Sequence, residues 1–66
     1  MNLTINGATR RIDGPLTVSS LLDTLRLDAN RVAIEYNREV LLKADFAVVE
    51  LHDGDCLEIV QFVGGG

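Results

Sequence analysis

The sequence predicts a small α+β domain, on three observations. Apolar–polar alternation opens and closes the chain, at Met1 to Ile5 and at Cys56 to Phe62. Between them lies one helical stripe, Val18, Leu21, Leu22 and Leu25. Turn-forming groups, Asn6-Gly7 and His52-Asp53-Gly54-Asp55, bound the extended stretches. A hairpin, then a crossover helix, then further strands that cover the helix is an α+β order.

The first strand is read over Asn2 to Ile5, where Met1, Leu3 and Ile5 alternate with Asn2 and Thr4. Asn6-Gly7 is the strongest short hairpin signal, because both residues tolerate positive φ. Thr9 to Ile12 is the returning strand, and Asp13-Gly14-Pro15 ends it with turn formers. Thr17 is a good N-cap for a helix carrying the apolar stripe. Asp23 lies three residues before Arg26, a spacing at which the two side chains can pair weakly. Val32 to Tyr36 is β-branched and aromatic at alternate positions, a third strand. Asn37-Arg38 turns the chain into a short fourth strand, Glu39 to Leu42. Lys43 to Val49 is ambiguous, with a single helical turn near Asp45 and Phe46 as one reading. In the last strand, Cys56 to Phe62, Leu57 and Ile59 face one way; Cys56, Glu58, Val60 and Phe62 face the other.

Composition bounds the function. At 66 residues the chain has room for one domain and none for a large walled cleft, which weighs against a self-contained enzyme. Hydrophobic residues make up 47% and charged residues 24%, ordinary for a globular domain. The net charge of −4 argues against nucleic acid and against an anionic membrane surface as partners. One cysteine, Cys56, excludes an internal disulfide, and Cys56 with the lone His52 falls short of a four-ligand zinc site. No apolar run approaches a signal h-region or a membrane span, so the expectation is a soluble cytoplasmic protein. Neither G-x-x-x-x-G-K-[ST] nor G-x-G-x-x-G occurs, so a nucleotide site is not expected on this chain.

The order of elements, ending in a strand that runs into Gly64-Gly65-Gly66, resembles the ubiquitin-like β-grasp proteins. Among them it is similar to the small sulfur carriers of thiamine biosynthesis. The matching residues are Asn6-Gly7, Thr17-Val18 with Leu21-Leu22, and Val32-Ala33-Ile34-Glu35-Tyr36-Asn37. The terminal block matches best: Asp53-Gly54-Asp55, Leu57-Glu58-Ile59-Val60 and Phe62-Val63-Gly64-Gly65-Gly66. The chain departs from the family pattern at Leu42-Lys43 and at Phe46.

The resemblance implies a mixed sheet of four to five strands packed on one main helix. Residues 1–63 would form the domain and residues 64–66 a flexible glycine tail. It further implies a carrier with no catalytic residues and no metal of its own, acted on by an adenylating enzyme, a sulfur-donating enzyme and thiazole synthase. ATP and magnesium would belong to the adenylating partner. Gly66 would take first the adenylate and then the sulfur, with Gly64 and Gly65 threading the partner's channel. Glycine suits such a channel, since it lacks Cβ and reaches φ values closed to other residues. Val60, Phe62 and Val63 would form the docking surface, Val63 marking where strand gives way to arm. The alternatives are a carrier serving molybdopterin or another sulfur pathway, and a ubiquitin-like binding or modifier module. Cys56 is read as a small strand residue, and His52, Asp53, Asp55 and Glu58 as a solvated turn and face, with steering of a basic partner as the lesser reading of the acids.

Overall fold

A computed structural model describes residues 1–63. Its elements are β1 (Asn2–Ile5), β2 (Ala8–Arg11), α1 (Val18–Thr24), β3 (Val32–Tyr36), β4 (Glu39–Leu41) and β5 (Cys56–Gln61). Short 3-10 turns occupy Ala29–Arg31 and Lys43–Asp45. The five strands form one sheet in the order β2-β1-β5-β3-β4. β5 runs parallel to β1 and antiparallel to β3, so the last strand fills the middle of a mixed sheet.

Each expected element is present, and β1 and β3 have the expected limits. β2 starts one residue earlier than the pattern suggests and ends at Arg11, because the two-residue Asn6-Gly7 loop sets Ala8 directly opposite Ile5. β4 stops at Leu41 and β5 at Gln61. Asn6 and Gly7 sit at φ 51° and 81°, and Asn37 and Arg38 at 49° and 72°. Both hairpins therefore use two-residue loops with positive φ, whose twist matches that of the strands.

The core lies between α1 and one face of the sheet. Leu3, Ile5, Val32, Ile34, Leu57 and Ile59 point inward from the strands and are buried. Val18, Leu21 and Leu22 meet them from α1, and Phe46 and Leu51 close the far side. The helix begins where expected, the Thr17 hydroxyl accepting from the Ser20 N–H at 3.1 Å. The first free helix donors find partners outside it: Val18 N–H donates to Val49 O at 3.0 Å and Ser19 N–H to Phe46 O at 2.9 Å. The ambiguous segment Lys43 to Val49 thus holds a helical turn, and it anchors the start of α1. At the other end, Leu27 N–H donates to Leu22 O and Arg26 N–H to Asp23 O, a Schellman closure with Arg26 at φ 59°. The Asp23–Arg26 ion pair is not formed; the closure uses their backbones instead, and the positive φ of Arg26 turns its side chain off the helix surface.

Candidate functional site

The candidate site is the end of β5 and the residues after it. Its geometry begins with how firmly β5 is held. Asn6, in the first turn, reaches across and grips Ile59 from both sides: its Nδ2 donates to Ile59 O at 3.0 Å, and Ile59 N–H donates to its Oδ1 at 2.7 Å. Asn37, in the second turn, does the equivalent at the strand's start, accepting from Cys56 N–H at 2.9 Å. Beyond Gln61 the backbone stays tied for one more residue, since Phe62 N–H donates to Arg31 O at 2.7 Å. The chain is therefore fixed up to Phe62.

The face of the sheet away from α1 carries two of the three expected docking residues, Val60 and Phe62; Val63 lies beyond the last residue tied to the sheet. Val60 is 57% exposed, Phe62 58% and Val63 94%. Two further apolar residues belong to this surface, Val40 and Leu42, both exposed. β4 pairs with β3 so that Val40 lies opposite Glu35, and Leu42 continues the same outward alternation beside Ala33, which lies opposite Val60. A patch spanning three strands results, rimmed by Glu35 and Glu58, which face each other across β3 and β5. Sequence reasoning finds the β5 half only. The β4 half depends on a cross-strand register that a three-residue strand does not reveal.

Gly64, Gly65 and Gly66, the expected tail and attachment point, lie outside the described residues. Cys56 is exposed at the other end of β5. No group of three or more His, Cys, Asp or Glu side chains among the described residues is placed to hold a metal ion. No helix among them is long and apolar enough to cross a membrane.

Asp55 corrects the sequence expectation. It is not a solvated turn acid: it is buried and organises the turn before β5. Its Oδ2 accepts from the Tyr36 hydroxyl at 2.5 Å and from His52 N–H at 2.7 Å, and its Oδ1 accepts from Asn37 Nδ2 at 3.2 Å. Burial pushes the Asp55 carboxyl up. The hydrogen bonds from Tyr36, the His52 backbone and Asn37, with the nearby His52 charge, outweigh burial and hold it below its ordinary value. Burial and the same carboxylate push the Tyr36 phenol up to about 12. His52 itself is exposed, as expected. Asp53 is exposed and accepts from Asn2 N–H at 2.5 Å, so it also ties β1 to the turn.

Comparison with known proteins fits this geometry. The model of the ThiS family matches residues 3–66. The sulfur carrier protein ThiS of Bacillus subtilis is 44% identical over 50 residues, covering 76% of each chain. A thiazole synthase of Paramagnetospirillum magneticum is 47% identical over all 66 residues, and this chain spans only 20% of that protein's length. A crystal structure of the thiamine biosynthesis protein ThiS from Geobacter metallireducens superposes with a TM-score of 0.85 at 42% identity, covering the whole of both chains. The five-strand sheet on one helix is the β-grasp arrangement that the resemblance implied.

Proposed function

The chain belongs to the ThiS family, and on that premise we propose that it is a sulfur carrier of thiamine biosynthesis, loaded at Gly66 and unloaded by thiazole synthase. The observation that carries this reading is the placement of β5. The central strand of the sheet, held by Asn6 and Asn37, leads past an exposed apolar patch straight into Gly64-Gly65-Gly66.

The chemistry explains why such an arm needs other enzymes. An α-carboxylate, with a pKa of roughly 3.3–3.7, is ionised at neutral pH and resists nucleophilic attack. An adenylating enzyme, supplying ATP and magnesium, converts the Gly66 carboxylate to an acyl-adenylate with loss of pyrophosphate. A sulfur donor then displaces AMP and leaves a thiocarboxylate. Gly64 and Gly65 carry no side chains to obstruct a narrow channel. Val60, Phe62 and Val63, joined by Val40 and Leu42, are the surface by which partners grip the domain while the arm is inserted, since interfaces favour apolar and aromatic anchors. The domain contributes position and recognition, and the partners contribute catalysis.

The thiazole synthase relative supports thiazole synthase as the acceptor, because a segment similar to this chain is part of that polypeptide. The test is complementation. The intact chain restores growth without thiamine to a strain lacking its own thiamine sulfur carrier, and a chain without Gly65 and Gly66 does not. Rescue of a molybdopterin-carrier mutant instead would assign it to the other pathway.

A further inference from the structure

On the α1 side of the sheet, at the same end of β5, lies an open cleft of about 510 Å³. Ile5, Ile59 and Leu27 form an apolar floor; Arg10, Arg26 and Gln61 stand at its rim. Neither arginine has an ion-pair partner among the described residues. A chain with a net charge of −4 and only 6 lysines and arginines thus places two of them, uncompensated, on one cleft. Gln61, on its rim, lies three positions before Gly64.

The backbone at Arg26 adds a second observation. At φ 59° it occupies the C′ position of the Schellman closure, where glycine is the ordinary residue. A non-glycine there carries a backbone cost, as Arg38 does in the second hairpin. The helix dipole does not account for it. A cation in the last turn of α1 would serve the dipole without any φ penalty, and that turn has none. Arg10 is placed with similar purpose: it lies opposite the buried Leu3, so it projects from the edge strand toward the helix side.

We propose that this cleft receives an acidic side chain, carried beside an apolar one, from the thiazole synthase that takes up the arm. The inference rests on the carrier reading above and deepens it. A partner enclosing the arm meets both faces of β5 at once. On the outer face it meets the apolar patch edged by Glu35 and Glu58, and on the inner face the paired arginines. Opposite charge on the two sides of the sheet fixes the roll of the domain about the arm, so that Gly66 enters the partner's site in one orientation. Arginine suits this task because its planar fork binds a carboxylate through two parallel hydrogen bonds.

The test is calorimetric titration of the intact chain into thiazole synthase, at low and high salt, with thermal melts of each variant. Arg26→Gly relieves the positive φ, so it melts above the wild type, yet it binds about tenfold more weakly, and Arg10→Gln weakens binding by a similar factor. Both variants show a shallower salt dependence than the wild type. Arg38→Gly is the control: it relieves a positive φ of 72° at the opposite end of β5, melts higher and binds unchanged. Arginine variants that bind like the wild type, while Val60→Asp loses binding, overturn the cleft inference and leave the carrier reading standing. Inorganic phosphate or acetate that saturates the cleft without competing against thiazole synthase also overturns it. A wild-type chain that fails to bind thiazole synthase takes down both.

Discussion

Replacing Asp55 by Asn keeps the shape of the side chain and removes its charge. The surrounding hydrogen bonds dictate the consequence. The single amide oxygen can take the place of Oδ2 and keep the Tyr36 hydroxyl and the His52 N–H, now without charge assistance. The amide nitrogen then faces Asn37 Nδ2, donor against donor, where a 3.2 Å hydrogen bond stood. Asn37 cannot turn over to relieve this, because its Oδ1 holds Cys56 N–H at 2.9 Å. One hydrogen bond to a charged group is lost and two are weakened, and such bonds contribute about 1.5–3 kcal/mol each. The expected loss is about 3 kcal/mol, a large part of the roughly 3–10 kcal/mol that a domain of this size possesses. Urea unfolding at neutral pH measures it, and the same loss lowers the melting temperature by more than about 10 °C. The pH dependence supplies a second reading. The folded Asp55 carboxyl sits below its ordinary value of 3.8, so its contribution is fully present above that value and disappears as pH falls through the folded value. The gap between wild type and Asp55→Asn therefore closes in acid. A gap below about 1 kcal/mol at neutral pH, or one that acid leaves unchanged, would refute the assignment of Asp55 as the acceptor that organises this turn.

Other perturbations separate roles that overlap in the structure. Asn6→Gly keeps the positive φ of the first hairpin but releases Ile59; unfolding should show a loss of about 1–2 kcal/mol, whereas a purely conformational role predicts none. Phe46→Ala empties a buried site between the Lys43–Val49 segment and α1, and should cost about 3–5 kcal/mol, read as loss of cooperative thermal unfolding at growth temperature. Val60→Asp sits on the exposed face, so it should leave the melting temperature within a few degrees of the wild type while weakening thiazole synthase binding at least tenfold by titration calorimetry.

The fold is legible in the sequence wherever the physics is local. Strand alternation in Asn2–Ile5 and Val32–Tyr36 is set by burial of one face, and the two hairpins by residues that accept positive φ, so both can be located from neighbouring letters. The β5 half of the exposed apolar face is legible because Val60 and Phe62 alternate with the core residues Leu57 and Ile59. Asp55 reads as solvated because its partners Tyr36 and Asn37 come from a different hairpin, and an acid in an Asp-Gly-Asp turn gives no local sign of burial. The segment around Phe46 is ambiguous because a three-residue 3-10 turn is too short to show a period. The arginine cleft has no sequence signal, since Arg10 of β2 and Arg26 after α1 come to line one cleft only once the sheet and the helix are assembled.

Sulfur on Gly66 is the assertion from which the carrier role and its partners descend, and intact-mass spectrometry reads it without an intermediary. The full chain is incubated with an adenylating enzyme of the pathway, ATP, magnesium and a sulfur donor. The expected result is a mass gain equal to the exchange of one oxygen for one sulfur, localised by fragmentation to the terminal glycine and absent when Gly65 and Gly66 are deleted. An unchanged mass, with an enzyme that loads another ThiS-family carrier in the same mixture, would contradict it.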